Sequence, residues 1–164
     1  IAGNSGGDLS RDDDAREVMM QLVPFVSEHL GDLGEGEGNP GRQLMGDWKS
    51  MTDRYINPAL SWSGIHNGHL VGSGGIIPLW DGVAECWLIG GWRLGSHKVS
   101  AVRALTATLA RQVKEQQLRR LQAVVRADWD EAVRFVEFLR FEREGLLRGY
   151  GPDGSDHYIY ARII

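Results

Sequence analysis

The residues in this chain whose types and spacing could do chemistry are a basic cluster, a lone thiol, two histidines and a set of tyrosines. His97, Lys98 and Arg103 stand at the head of a stretch in which Val99, Val102, Leu105, Leu109 and Val113 recur every three or four residues. That is the spacing of one helix face. A helix start leaves backbone N–H groups unpaired and carries partial positive charge, so it suits a phosphate. Charge distribution points to the same segment. Residues 93–148 hold 12 Lys/Arg against 7 Asp/Glu, whereas residues 1–92 hold 5 against 13, within a net charge of −4. A basic segment in an acidic chain fits an anionic ligand; it also fits solvated helix faces with ordinary charge pairs. Cys86 sits in the apolar run AECWLI. A nucleophilic thiol needs a histidine in hydrogen-bond reach, so the plainer reading is a buried structural cysteine. His66 and His69 flank Asn67-Gly68; a metal would need a third ligand, and none is apparent. Tyr150, Tyr158 and Tyr160 cluster near the C-terminal end, where amphipathic sheet packing with a wet hydroxyl accounts for them.

Whole classes of function drop out on composition. The single cysteine excludes an internal disulfide framework and a cysteine-based zinc site, and fits a reducing, cytoplasmic setting. No apolar run approaches the ~20 residues of a membrane-spanning helix, so no membrane partner is expected. Arg119-Arg120 is the only hint of nucleic-acid binding; the overall acidity and the lack of a reader motif argue against it.

The elements that must position these residues follow from periodicity. Residues 1–8 are set aside as a frayed or processed end, and residues 9–164 are expected to form one domain. Asp12-Asp13-Asp14 precedes Val18, Met19, Leu22, Val23, Phe25, Val26 and Leu30, a pattern that predicts a helix over residues 18–30, kinked or restarted at Pro24. Residues 31–41 read as a glycine-rich loop, either an acceptor lid or a plain connector, and residues 48–55 as a short helix. Three strands over 60–66, 69–78 and 84–89 form a meander with turns at Asn67-Gly68 and Asp81-Gly82. The long helix follows. Next come a strand over 118–126 with Leu121, Ala123 and Val125 on one face, and a helix over 128–138 opened by an Asp128/Glu131 capping box. Strands over 144–150 and 157–163 close the chain across Gly-Pro-Asp-Gly. The strand–helix–strand unit predicts two parallel neighbours joined by a right-handed crossover. Ile163-Ile164 offers a sheet edge to a second copy, as in a homodimer.

Taken in this order, WLIGGW, HKVSAVRALTATLARQ and RRLQAVVRADWDEAVRFVEFLRFEREGLLRGY resemble the GCN5-related N-acetyltransferase superfamily. The resemblance runs over most of residues 12–163. It implies an α/β (α+β) fold with a mixed, mostly antiparallel sheet of six or seven strands and about four helices. It also implies two central strands that splay around acetyl-CoA, the acyl donor. Cofactor contacts then fall on Leu88, Ile89, Gly90, His97, Lys98, Val99, Ser100, Ala101, Val102 and Arg103. Gly90-Gly91 would form a bulge that frees strand N–H groups. The activity implied is acetyl transfer to a primary amine, small-molecule or peptide. Glu85 would be the base, or else a strand-face charge paired to an arginine. Tyr150, Tyr158 or Tyr160 would be the acid, with Tyr150 preferred. The chain departs from the family pattern at Ser100 and Val102, where small residues face phosphate, at Val136, where a tyrosine often stands, and at Arg140, where glycine is usual. These departures fit a divergent member resembling phage-encoded acetyltransferase-like proteins, some of them virion-associated, in the infected cytoplasm or the particle. They also motivate the alternative, a non-catalytic structural or interaction module on the same fold.

Overall fold

The computed structural model describes residues 20–34, 56–90 and 98–164. Among them, strands β1 Gln21–Pro24, β2 Ser61–His66, β3 His69–Trp80, β4 Val83–Gly90, β5 Arg120–Arg126, β6 Glu142–Leu147 and β7 His157–Ile163 form one sheet in the order β1-β2-β3-β4-β5-β7-β6. Helices α1 His29–Gly34, α2 Lys98–Glu115 and α3 Asp130–Phe138 accompany it, with a short 3-10 turn at Pro58–Leu60. Every pairing is antiparallel except β4 with β5.

Alternation along the strands sorts the molecule into layers. Ile76, Ala84, Leu121, Ala123 and Tyr160 turn to one face, where they pack with Leu109 of α2, Val136 of α3 and Leu139 just past its end. The other face of the N-terminal strands carries Ile89, covered by Phe25 and Leu30, with Leu70 and Trp87 beside them. Phe25 meets Trp87 edge-on at 5.3 Å between ring centroids. A buried polar chain anchors α1 there, because His29 Nδ1 lies 2.8 Å from Ser63 Oγ, which lies 2.7 Å from Ser73 Oγ.

The meander depends on close approach. A methyl on Gly75 would meet the Leu60 carbonyl oxygen at 2.5 Å and Ser61 Cα at 2.8 Å, so only glycine lets β3 lie against the start of β2. Pro78 is tolerated inside β3 because the ladder with β2 ends at Gly75 and the ladder with β4 is irregular between Pro78 and Trp80.

Several expectations need correcting. Residues 21–24 are a strand, not helix. Gln21, Leu22, Val23 and Pro24 pair with Ile65, Gly64, Ser63 and Trp62, and the helix begins only at His29 and runs through the expected loop start to Gly34. Pro24 cannot donate inside a helix but can end an edge strand. The described residues hold three helices; the expected helix at 48–55, the acidic run at 12–14 and most of the glycine-rich loop lie outside them. Asp128 does not cap α3. The N-cap is Trp129, with no side-chain hydrogen bond, because Asp128 is held by Arg126 Nε at 2.6 Å. The final hairpin starts earlier than expected, with β6 over Glu142–Leu147, so Tyr150 lies beyond its end.

Candidate active site

β4 and β5 begin side by side and then part. Their parallel ladder pairs Val83 with Arg120, Ala84 with Leu121 and Glu85 with Gln122, and there it ends. β4 runs on to Gly90 and β5 to Arg126. Beyond Glu85, therefore, the β5-facing edge of β4 has no ladder among the described residues, while its other edge stays paired to β3 as far as Gly90. Unpaired strand groups need another partner, and an extended ligand entering this gap would supply one. Cys86 bridges the start of the gap, its Sγ 3.2 Å from the Gln122 carbonyl oxygen.

Glu85 stands at the mouth of this opening. Gln122 Nε2 donates to Glu85 Oε2 at 3.0 Å, so the partner is an amide and not the expected arginine. The arginine is one step further on. Arg120 lies 3.5 Å through Nη2 from Gln122 Oε1 and forks onto Glu144, with Nη1 to Oε1 at 2.8 Å and Nη2 to Oε2 at 2.6 Å. The Arg120 guanidinium beside Glu144 holds that carboxyl below its ordinary range. Tyr150 is exposed, and its ring lies 5.3 Å from that of His157. Partial burial, and then the charge of Glu85, push its hydroxyl pKa above the ordinary value.

The other candidates separate. Tyr160 is fully buried beneath α3, where its hydroxyl donates to Glu137 Oε1 at 3.0 Å; burial, then that bond, push its pKa up to about 12. Tyr158 shares that face, edge-on to Tyr160 and 4.5 Å beneath the Arg143 guanidinium. Burial pushes the Cys86 thiol up to about 12, which leaves almost no thiolate near neutral pH. His66 and His69 pair across the turn as expected, with Asn67 and Gly68 at φ 51° and 74°. Among the described residues no three metal-ligating side chains gather.

At the cofactor end, Leu88 is exposed, Ile89 is buried against Phe25 and Leu30, and Gly90 pairs in register with Gly72. The ladder irregularity of β3 and β4 falls at Pro78 and Trp80, away from Gly90; Gly91, Trp92 and His97 lie outside the described residues. α2 opens at Lys98 with no acidic residue in its first turn. Val99 and Arg103 are exposed there, and Ser100, Ala101 and Val102 are half-buried. At the same end of the sheet, Arg126 grips Asp128 and Asp153 at 2.6 Å each, tying the β6–β7 turn to the start of α3. A cleft of about 580 Å³ lies there, lined by Arg126, Asp128, Asp153, Ser155 and Asp156. Sequence reasoning missed Gln122, Glu144 and this clasp. The signal for Gln122 was present, as a polar residue sharing with Arg120 and Arg126 the face opposite Leu121, Ala123 and Val125; its partner required the register.

Comparison with known proteins enters on this geometry. No family model matches the sequence, and no curated protein sequence matches it. Solved structures do. Ard1 from Thermoplasma volcanium matches at a TM-score of 0.70 with 21% identity, over 90% of this chain and 99% of that one. The ribosomal-protein-S18-alanine N-acetyltransferase of Escherichia coli matches at 0.64 with 20% identity, over 89% and 94%. A GNAT family acetyltransferase from Elizabethkingia anophelis, solved with acetyl-CoA bound, matches at 0.65 with 10% identity, over 88% and 98%. At such identities the likeness is one of architecture: this chain has the fold of the GCN5-related N-acetyltransferases.

Proposed function

We propose that the protein transfers an acetyl group from acetyl-CoA to a primary amine. The observation that carries this reading is the β4–β5 ladder, which stops after Glu85 and Gln122 although β4 runs on to Gly90 and β5 to Arg126. Bound there, acetyl-CoA supplies an activated acyl carbonyl. Backbone N–H groups among residues 88–90 hold its oxygen as charge develops in this reading. The N-terminus of α2, with Lys98 and Arg103 and with His97 before it, receives the pyrophosphate. Glu85 takes the proton that the acceptor amine gives up, on Oε1, since among the described residues Gln122 holds only Oε2. Tyr150 stays protonated at neutral pH, its pKa raised by burial and by Glu85, and its hydroxyl is the group we assign to protonate the departing sulfur. The acidic first half of the chain, with 13 Asp/Glu against 5 Lys/Arg over residues 1–92, favours a cationic amine, on a small molecule or a peptide.

Calorimetry with acetyl-CoA, and with desulfo-CoA as control, tests the first half. Micromolar binding is expected; no binding at millimolar cofactor would mean that the fold serves as a structural or interaction module. The second half is tested with Glu85→Gln. Acetyl-CoA binding should be unchanged while turnover falls about 100-fold, the lower end of what a general base contributes. Wild-type turnover in that variant would remove Glu85 from the mechanism.

A further inference from the structure

We propose that Arg120 is a positioning residue for Glu85, acting through the side-chain amide of Gln122; this rests on the reading of Glu85 as the proton acceptor. Four side chains lie in a line across one face of the sheet, from Glu144 on β6 to Arg120 and Gln122 on β5 and on to Glu85 on β4. Arg120 and Gln122 are two apart on one strand and so share that face. The decisive member is the Gln122 amide, which has an acceptor end and a donor end and can face either way. With its oxygen toward the guanidinium, its NH2 donates to Glu85 Oε2 at 3.0 Å. Turned over, it would set an NH2 against the guanidinium and an oxygen against the carboxylate, both contacts of like polarity. At 3.5 Å the Arg120–Gln122 contact is long for a hydrogen bond, but its sign is enough to choose between the two orientations. Glu144 in turn holds the guanidinium by a two-point fork, the geometry that fixes an arginine in plane.

The chain has a directional result. Gln122 holds Oε2 of Glu85 and fixes the carboxylate, so Oε1 is the oxygen left for the acceptor's proton. If Arg120 is lost, the amide is free to turn and the carboxylate loses its donor for part of the time. The Arg120–Glu144 pair is itself partly exposed, at 24% and 44% of the side chains. Pairs of that kind contribute little to stability, so removing the pair separates positioning from folding.

The experiment uses Arg120→Met, Glu85→Gln and the double variant in the full chain, with two readouts. The first needs no acceptor. In 15N-labelled wild-type protein the two Gln122 side-chain N–H signals should be well separated, one of them shifted by Glu85. In Arg120→Met they should move toward the values of a free amide, with the thermal midpoint unchanged. Gln122 signals identical in the two proteins would overturn the proposal. The second readout is thiol release from acetyl-CoA with an alanine-initiated peptide or spermidine as acceptor. Arg120→Met should lower kcat about tenfold, part of the ~100-fold that a misplaced group can cost, and leave KM for acetyl-CoA unchanged. In the Glu85→Gln background it should have no further effect. An equal drop in both backgrounds would show that Arg120 acts elsewhere and sink the positioning role alone. Full turnover in Glu85→Gln would instead overturn the assignment of the base, whatever the amide signals show.

Discussion

Glu85 and Cys86 are neighbours on β4 whose environments differ, because a strand turns successive side chains to opposite faces. Glu85 meets Gln122 at the rim of the opening. Cys86 turns toward Trp62, Leu121 and Tyr160 in the core, and its thiol pKa is pushed up to about 12. The thiol should therefore resist disulfide reagents at pH 8 in the folded protein and react at once in denaturant; rapid labelling of native protein would contradict the raised pKa. Its linkage to stability has a definite sign. A folded pKa above the ordinary 9.0 means a contribution fully present below pH 9 and lost as pH rises toward 12. Tyr160, raised from 10.0 to about 12, adds a loss of the same sign beginning one unit higher. Denaturant midpoints measured from pH 8 to 11 should fall, and Cys86→Ala should delay the start of that fall. The apolar setting of the half-buried thiol was legible from its neighbours in the sequence. Arg120 and Glu144 were not, since they sit on strands that are not adjacent and only the order β5-β7-β6 brings them together.

Helix ends show how an element depends on one residue. α3 closes with the Phe141 N–H bonded to the Val136 carbonyl and the Arg140 N–H bonded to that of Glu137, and Arg140 takes φ +66°. α2 closes the same way. Leu118 bonds to Val113 and Gln117 to Lys114, with Gln117 at φ +48°. Both positions want glycine. The glycine that the family pattern places at Arg140 is thus explained by backbone geometry, and its absence here is a strain and not a change of shape. Arg140→Gly should stabilise the protein by about 0.5–1 kcal/mol, the relief of a left-handed side chain less the added freedom of the unfolded glycine. A lower melting temperature in that variant would contradict the assigned end. Elements with long, consistent periods, such as α2, were readable from spacing alone. The N-terminal segment was not, because Leu22, Val23, Phe25, Val26 and Leu30 satisfy a helix period even though the first two lie in a four-residue strand, the last in a short helix and the others between them. Asp128 misled for a different reason: a capping residue has competitors, and the Arg126 guanidinium wins it.

At the scale of the whole molecule, the sheet consists of two pieces. β1 to β4 form one antiparallel run and β5, β7 and β6 another, and three residue pairs join them. On the α2 and α3 face a single core crosses the seam, with Ile76 and Ala84 from one side and Leu121, Ala123 and Tyr160 from the other. The overall order of elements was legible because each turn and each change of period is local. The parting of the two central strands could be expected only from the family resemblance, since neither β4 nor β5 carries a residue that announces where pairing stops. This seam makes the protein a natural two-part reporter. A chain cut between Gly90 and Lys98 yields fragments that own one half-sheet each and share a hydrophobic interface. Co-expressed, they should find each other. A ligand that spans the seam favours the joined state by mass action, so on the proposed function acetyl-CoA should tighten their association, and a fluorophore split across the two halves would read its concentration.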